Sequence, residues 1–212
     1  MATEEEMIVL IGASYVRGWN LQEIAEARVI NKGVNGEQSF EMLERFDRDV
    51  IALSPRAVVI WGYINDIYRC NKTNITEKLY AYRENLNKMV LTARQHGIIP
   101  ILATEVTICG PRGFKELAAA FIGRLAGREG YECYVNNNVR AVNQWIRKYS
   151  NQNSVNMLDF ESALSDETGA RKKEYADADG SHISPRGYEK LNGYIQEHIA
   201  LFGAERVNNR QI

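Results

Sequence analysis

Short runs of apolar, β-favouring residues alternate along this chain with longer stretches in which apolar residues return every three or four positions. The short runs are MIVLIG at 7–12, RVIN at 28–31, AVVIWG at 57–62, IPILATEV at 99–106 and VNMLDF at 155–160. Continuous apolar runs of this length predict strands buried on both faces, and such strands belong to parallel sheets. Each right-handed crossover between parallel strands lays a helix over the sheet. The pattern therefore predicts the α/β class: a three-layer α/β/α sandwich around a central parallel sheet of about five strands.

The helical stretches carry their own punctuation. Over 76–96, Leu79, Tyr82, Leu86, Met89, Val90 and Ala93 share one face, and Gly97 ends the pattern. Phe40, Leu43, Phe46 and Val50 mark an earlier helix; Val139, Val142, Trp145 and Ile146 mark a later one reaching about Tyr149. In the last helix Ser184 suits the cap, Pro185 suits the first turn, and Tyr188, Leu191, Ile195 and Ile199 line one side. The segment 107–130 has no clear period, and its glycines are expected to frame a mobile loop and a short helix near the functional site. No repeat, low-complexity tract or Pro/Gly linker interrupts the chain, so 1–212 is expected to fold as one domain, with a polar tail after Gly203 that frays.

Composition narrows the function classes. With 26 Lys and Arg against 27 Asp and Glu, the net charge of −1 gives no basic footprint for nucleic acid. The opening MATEEEMIVLIG begins with acids, and its apolar run is too short for a signal h-region or a membrane span, so a cytoplasmic protein without membrane association is expected. Cys70, Cys109 and Cys133 show no close-paired spacing, which predicts free thiols and no metal site. The loop after the first run lacks both GxGxxG and the P-loop lysine pattern, so no nucleotide or flavin cofactor is expected.

Four short stretches remain: IGAS ending at Ser14, VNGEQS around Gly36, WGYIND around Asn65, and DGSH from Asp179 to His182. Each has a plain structural reading taken alone: a serine cap, a turn glycine, an Asn-Asp helix cap, an Asx turn. Together they match one chemistry. A serine hydroxyl attacks a carbonyl well only when an imidazole takes its proton, a carboxylate holds that imidazole, and fixed donors meet the charge that forms on oxygen. The first three stretches close predicted strands, the rim at which ligand sites of open parallel sheets gather. His96 and His198 lie in helices without an evident acid partner and are expected to be structural or solvated.

This set resembles the GDSL-type, or SGNH, hydrolase family, and the resemblance spans the chain. It implies a flavodoxin-like SGNH hydrolase fold with Ser14 as nucleophile. It further implies that the Ser14 amide, Gly36 and Asn65 form the oxyanion hole, and that Asp179 and His182 are the acid and base of the DxxH motif. WGYIND is similar to the family's GxxND variant, in which the position of Asp66 supports the loop. One position departs from the pattern: Ala13 stands where the family usually has the Asp of GDS. The implied activity is that of a serine esterase cleaving small or short-acyl esters through an acyl-enzyme, without metal or cofactor. Its partner would be a small-molecule ester, including an acylated carbohydrate; Tyr15, Arg17, Trp19, Tyr63, Arg69 and Arg112 cluster near the motifs and suit either contact with a sugar ring, an acidic group or an ester's alcohol, or surface packing. The alternative is a non-catalytic small-molecule or carbohydrate-binding domain on the same fold. The esterase reading requires Ser14 and His182 to approach within hydrogen-bond reach, with Asp179 on the far side of the ring.

Overall fold

Three strands at the middle of the sheet expose almost nothing. In the computed structural model, which describes residues 6–70, 73–109 and 130–203, β1 (Met7–Gly12), β4 (Ala57–Trp61) and β5 (Ile99–Ala103) are buried except at their first residues in β1 and β5. With β2 (Glu23–Ile24), β3 (Ala27–Gly33) and β6 (Asn156–Leu158) they form one sheet in the order β2-β3-β1-β4-β5-β6. All pairs are parallel except β2 with β3. Strands buried on both faces have no polar side to present, which is why the sequence reads as unbroken apolar runs.

The sheet thus has six strands, one more than the apolar runs predict. The addition, β2, is a two-residue antiparallel edge too short to show periodicity. Its hairpin turns through Ala25 (φ 48°) and Glu26 (φ 63°), both left-handed. Two successive left-handed residues define a type I′ turn, normally signalled by Asn-Gly, so Ala-Glu conceals it. Two predicted strands are also three residues shorter than their apolar runs. Residues 104–106 continue beyond β5 as buried coil, and Asp159 leaves β6 to cap the next helix by accepting from the Ser162 amide at 3.2 Å.

Eight helices are described: α1 (Ser14–Arg17), α2 (Ser39–Glu44), α3 (Phe46–Asp49), α4 (Ile64–Tyr68), α5 (Ile75–Gln95), α6 (Tyr131–Asn153), α7 (Phe160–Leu164) and α8 (Pro185–Glu197). Helix α5 buries the six residues expected of it. The single helix expected around Phe40–Val50 is instead two, and Phe40 faces outward at 42% exposure while Ser39, Met42 and Phe46 face the core. The break falls at Arg45, which turns inward to bind Glu37 and Asp49. Helix α6 runs past Tyr149 to Asn153 and stops at left-handed Ser154. Helix α8 starts as expected, with Ser184 Oγ accepting from the Gly187 amide at 3.1 Å. Ile199, however, lies beyond α8 in a 3₁₀ turn. The loop expected at 107–130 lies outside the described residues over 110–129, as does the tail over 204–212. No described helix is long and apolar enough to cross a membrane.

The end of β1 meets α1 with no space for a side chain. A Cβ on Gly12 would lie 1.9 Å from the Trp61 carbonyl oxygen and 2.4 Å from Val16 Cγ2. Gly193, within α8, faces open space. Gly12→Ala should therefore lower the unfolding free energy by about 1–3 kcal/mol or more, whereas Gly193→Ala should raise it by about 0.5–1 kcal/mol. Denaturant midpoints of the two variants check both signs.

Candidate active site

The carboxyl ends of β1, β3 and β4 open into a cavity of about 1100 Å³. Ser14 lies two residues past β1, Gly36 three past β3, and Asn65 in the first turn of α4 after β4; all three line this cavity, and His182 lines it from the segment before α8. Asp179 completes the group from behind the imidazole. Its Oδ2 lies 2.5 Å from His182 Nδ1, and its Oδ1 accepts from the Ser181 and His182 amides at 2.8 and 2.9 Å. The DGSH spacing makes this possible because one tight turn, with Gly180 left-handed at φ 74°, folds the carboxylate back onto the ring.

Partial burial pushes the Asp179 carboxyl up, but the bonds from the His182 ring and from the two amides outweigh it and hold the group at about 2. The carboxylate is therefore ionised throughout the neutral range. An ionised acceptor at Nδ1 favours the tautomer with its proton there, which leaves the Nε2 lone pair free to receive another. The sign of the pH effect follows: this anchor is intact above about pH 4 and is lost as pH falls toward about 2.

No hydrogen bond joins the Ser14 hydroxyl to the His182 ring, so the close approach expected from the sequence is only partly met: one cavity, without the bond. The His182 side chain is half exposed, bonded through Nδ1 and set edge-on to the Tyr15 ring, and such contacts in unliganded sites commonly tighten when substrate excludes water. The Ser14 turn itself is well held. The Arg17 amide donates to Ala13 O and the Gly18 amide to Ser14 O, each at 2.9 Å. Ala13 is buried against Gly62, so a methyl packs where the GDS pattern has a carboxylate.

The donor side is tied together from within. Gly36 is left-handed at φ 73°, and a Cβ there would press on Arg69 Nη2 at 2.9 Å. Asn65 Nδ2 donates to Glu37 O at 3.0 Å, which commits one of its two N–H bonds to the Gly36 loop and fixes the direction of the other. Glu37 is held by Arg45 through bonds of 2.6 and 2.5 Å, and Arg45 also donates to Asp49 at 2.8 Å and to Lys32 O at 2.8 Å. Burial disfavours the Arg45 cation, yet Glu37 and Asp49 more than compensate and raise its pKa. Asp66 supports the loop as expected, accepting from Ser39 N at 2.9 Å and Ser39 Oγ at 2.7 Å.

Of the aromatic residues near the motifs, Tyr63 is framework, whereas Tyr15 and Trp19 bond the framework and also line the cavity. Tyr63 is buried, with its hydroxyl 2.5 Å from Asn143 Oδ1 and 3.0 Å from Val139 O. Trp19 is buried with its indole donating to Asn192 Oδ1 at 2.7 Å, although its edge reaches the cavity. Tyr15 donates to Ser181 O at 2.8 Å, and the hydroxyls of Tyr68 and Ser181 bond at 2.9 Å. Arg17 is exposed at the cavity wall, Arg69 is exposed beside Gly36, and Arg112 lies outside the described residues. His96 and His198 each face a carbonyl of their own helix segment, Thr92 O and Tyr194 O.

Sequence reasoning missed Arg171 and Glu105. Arg171 is 4% exposed and donates to the carbonyls of Gly180 and, at 2.9 Å, Ser181; His182 O lies 3.4 Å away. It clamps the backbone that presents the imidazole, but in RKK at 171–173 it reads as part of a solvated basic run. Glu105 is fully buried beneath α4, and a lone acid inside the apolar stretch ILATEV was a legible sign. Among the described residues, no group of three or more His, Cys, Asp or Glu is arranged to hold a metal ion, and the three cysteines are unpaired.

Comparison with known proteins gives a consistent result. Residues 13–190 match the model of the GDSL-like Lipase/Acylhydrolase family. The chain is 24% identical over 216 residues to the uncharacterized lipoprotein YqeF of Bacillus subtilis, covering 91% of this chain and 88% of that protein. Its fold is similar to the crystal structure of a GDSL-like lipase from Bacteroides thetaiotaomicron, with a TM-score of 0.70 and 21% identity over 92% of this chain and 88% of the other. It is also similar to an acetylxylan esterase from Geobacillus stearothermophilus, with a TM-score of 0.67 and 20% identity over 97% of each chain.

Arg171→Met should remove the buried cation that bonds the Gly180 and Ser181 carbonyls, leaving them without that donor. We expect unfolding free energy to fall by about 2–4 kcal/mol and amide hydrogen exchange at Ser181 and His182 to accelerate. Unchanged exchange at those two amides would contradict the clamp.

Proposed function

The chain belongs to the GDSL-like Lipase/Acylhydrolase family, and from that premise we propose that it is a serine esterase acting on small or short-acyl esters through an acyl-enzyme on Ser14. The observation that carries the reading is the Asp179–His182 pair, its free Nε2 belonging to the same cavity as Ser14, Gly36 and Asn65. In the first step His182 Nε2 takes the proton of the Ser14 hydroxyl as its oxygen bonds to the ester carbonyl carbon. The carbonyl electrons move onto oxygen, where the amides of Ser14 and Gly36 and the Asn65 side chain receive the charge. The imidazolium, steadied by Asp179, then gives its proton to the departing alcohol. Water repeats the sequence to free the acid and the serine.

The donors assigned to the oxyanion are all neutral. They gain most when charge develops, so they favour the transition state over the uncharged ester. Arg17, Asn20, Asn35, Glu189 and Asn192 bring polar groups to a lining that also holds Trp19, Ile64 and Tyr188. Such a wall suits a hydroxyl-rich alcohol portion, which favours an acylated carbohydrate among small esters. The similar acetylxylan esterase fold is compatible with that choice. A second reading, a carbohydrate-binding domain without turnover, draws on Ala13 and on the unformed bond between Ser14 and His182.

Ser14→Ala should reduce hydrolysis of p-nitrophenyl acetate by about 10⁴-fold or more and abolish fluorophosphonate labelling, with folding unchanged. Asn65→Ala should lower kcat by about 10²- to 10³-fold. Turnover in Ser14→Ala equal to that of the unaltered protein would overturn the esterase reading; binding of acetylated xylo-oligosaccharide without any turnover would establish the second.

A further inference from the structure

A buried acid that the mechanism above does not use sits directly under the segment carrying Asn65. Glu105 follows β5 and is 0% exposed. Its Oε2 accepts from the amides of Tyr63 and Ile64 at 3.1 and 3.3 Å, the two residues that lead into Asn65. Its backbone is fixed in turn by Asn143 of α6, whose side chain accepts from Glu105 N at 2.9 Å and donates to Glu105 O at 2.8 Å. The same Asn143 oxygen receives the Tyr63 hydroxyl at 2.5 Å. Glu105 and Asn143 therefore hold the entry to α4 from below, while Glu37 O holds the Asn65 side chain from the side.

We propose that Glu105 is a positioning residue for Asn65: its carboxylate grips the Tyr63 and Ile64 amides and sets the orientation of the Asn65 amide in the cavity, on which oxyanion stabilisation depends. The inference rests on the esterase reading for its kinetic consequences, not for its structural ones. Two observations support it beyond the bonds themselves. Glu105 Oε1 and the Trp61 indole N–H are both buried without a hydrogen-bond partner, so the second oxygen is held less fully than the first. Burial pushes the acid up to about 7, against the pull of the Tyr63, Ile64 and Val106 amides. The group thus exchanges its proton in the neutral range.

The titratable groups that face it are phenols from four elements. Tyr15 of α1, Tyr63 before α4, Tyr68 of α4, Tyr82 of α5 and Tyr188 of α8 are all raised, chiefly by burial and further by the Glu105 charge. The Arg171 cation acts in the opposite sense on Tyr15, Tyr68 and Tyr188. None of these phenols ionises near neutrality, so Glu105 is the group in this buried set whose charge changes there. Ionised Glu105 accepts from both amides more strongly than the neutral acid does. Activity should therefore rise as Glu105 deprotonates.

The test combines kinetics with side-chain NMR on the full chain. Glu105→Gln should lower kcat by about 10- to 100-fold, with KM changed less than about threefold, and should remove an ionisation near pH 7 from the pH profile of kcat. In the Asn65→Ala background the same substitution should cost less than about threefold; an equal cost in both backgrounds would overturn the inference. Glu105→Asp keeps an acid and should retain a pH-dependent limb at reduced rate. In the unaltered protein the Asn65 side-chain amide resonances should shift between about pH 6 and pH 8. If they stay fixed over that range, or shift identically in Glu105→Gln, the positioning role is wrong whether or not the protein hydrolyses esters. Absence of Ser14-dependent turnover with an intact Asn65 titration would instead reject the esterase reading and leave the positioning role standing.

Discussion

A parallel strand that ends at a cavity leaves its next backbone groups without a ladder to join, and buried groups of that kind must find other partners. At this rim the partners are charged side chains drawn from elsewhere in the chain. Glu105 receives the amides entering α4, Arg171 donates to the carbonyls of Gly180 and Ser181, and Arg45 bonds Lys32 O while holding Glu37. Each of the three segments around the cavity thus keeps its shape through a buried ion. The positions of Gly36, Asn65 and His182 are consequences of that requirement.

The polarity of these ions is matched to what they hold. Amides call for an acceptor and receive a carboxylate; carbonyls call for a donor and receive a guanidinium, whose several N–H groups reach more than one oxygen. Only Arg45 is neutralised by direct carboxylate contact, with Glu37 and Asp49. Glu105 and Arg171 face backbone dipoles instead, and no ion pair joins either to another side chain among the described residues. Held from behind in this way, Gly36 and Asn65 have little freedom to reorient, which is what electrostatic preorganisation needs under the proposed function.

Much of this architecture was legible in the sequence, and the reasons for the exceptions are physical. Apolar runs located the five parallel strands, most plainly β1, β4 and β5, because strands buried on both faces cannot hide their composition. The Asp179–His182 contact was legible because it is local, three residues apart, and needs only a turn. The β2 hairpin escaped because Ala25 and Glu26 occupy a conformation that Asn-Gly usually marks. Phe40 was misplaced because the period assumed one continuous helix where Arg45 breaks it in two. Tyr63 could not be told from Tyr15 and Trp19, which line the cavity, because aromatic residues near a motif look the same whether they face a cavity or its foundation. Arg171 could not be found at all: its partners are carbonyls roughly ten residues away, and carbonyls leave no trace in a sequence.

The chemical claim at the centre of this account is that Ser14 becomes covalently acylated with His182 as the base. Acid-quenched mass spectrometry during early turnover of p-nitrophenyl acetate addresses it directly, comparing the unaltered protein with His182→Ala. One acetyl group is expected on the peptide containing Ser14 in the unaltered protein and none at that site in the variant. Hydrolysis that proceeds with Ser14 unmodified, or acetylation confined to another residue, would contradict it.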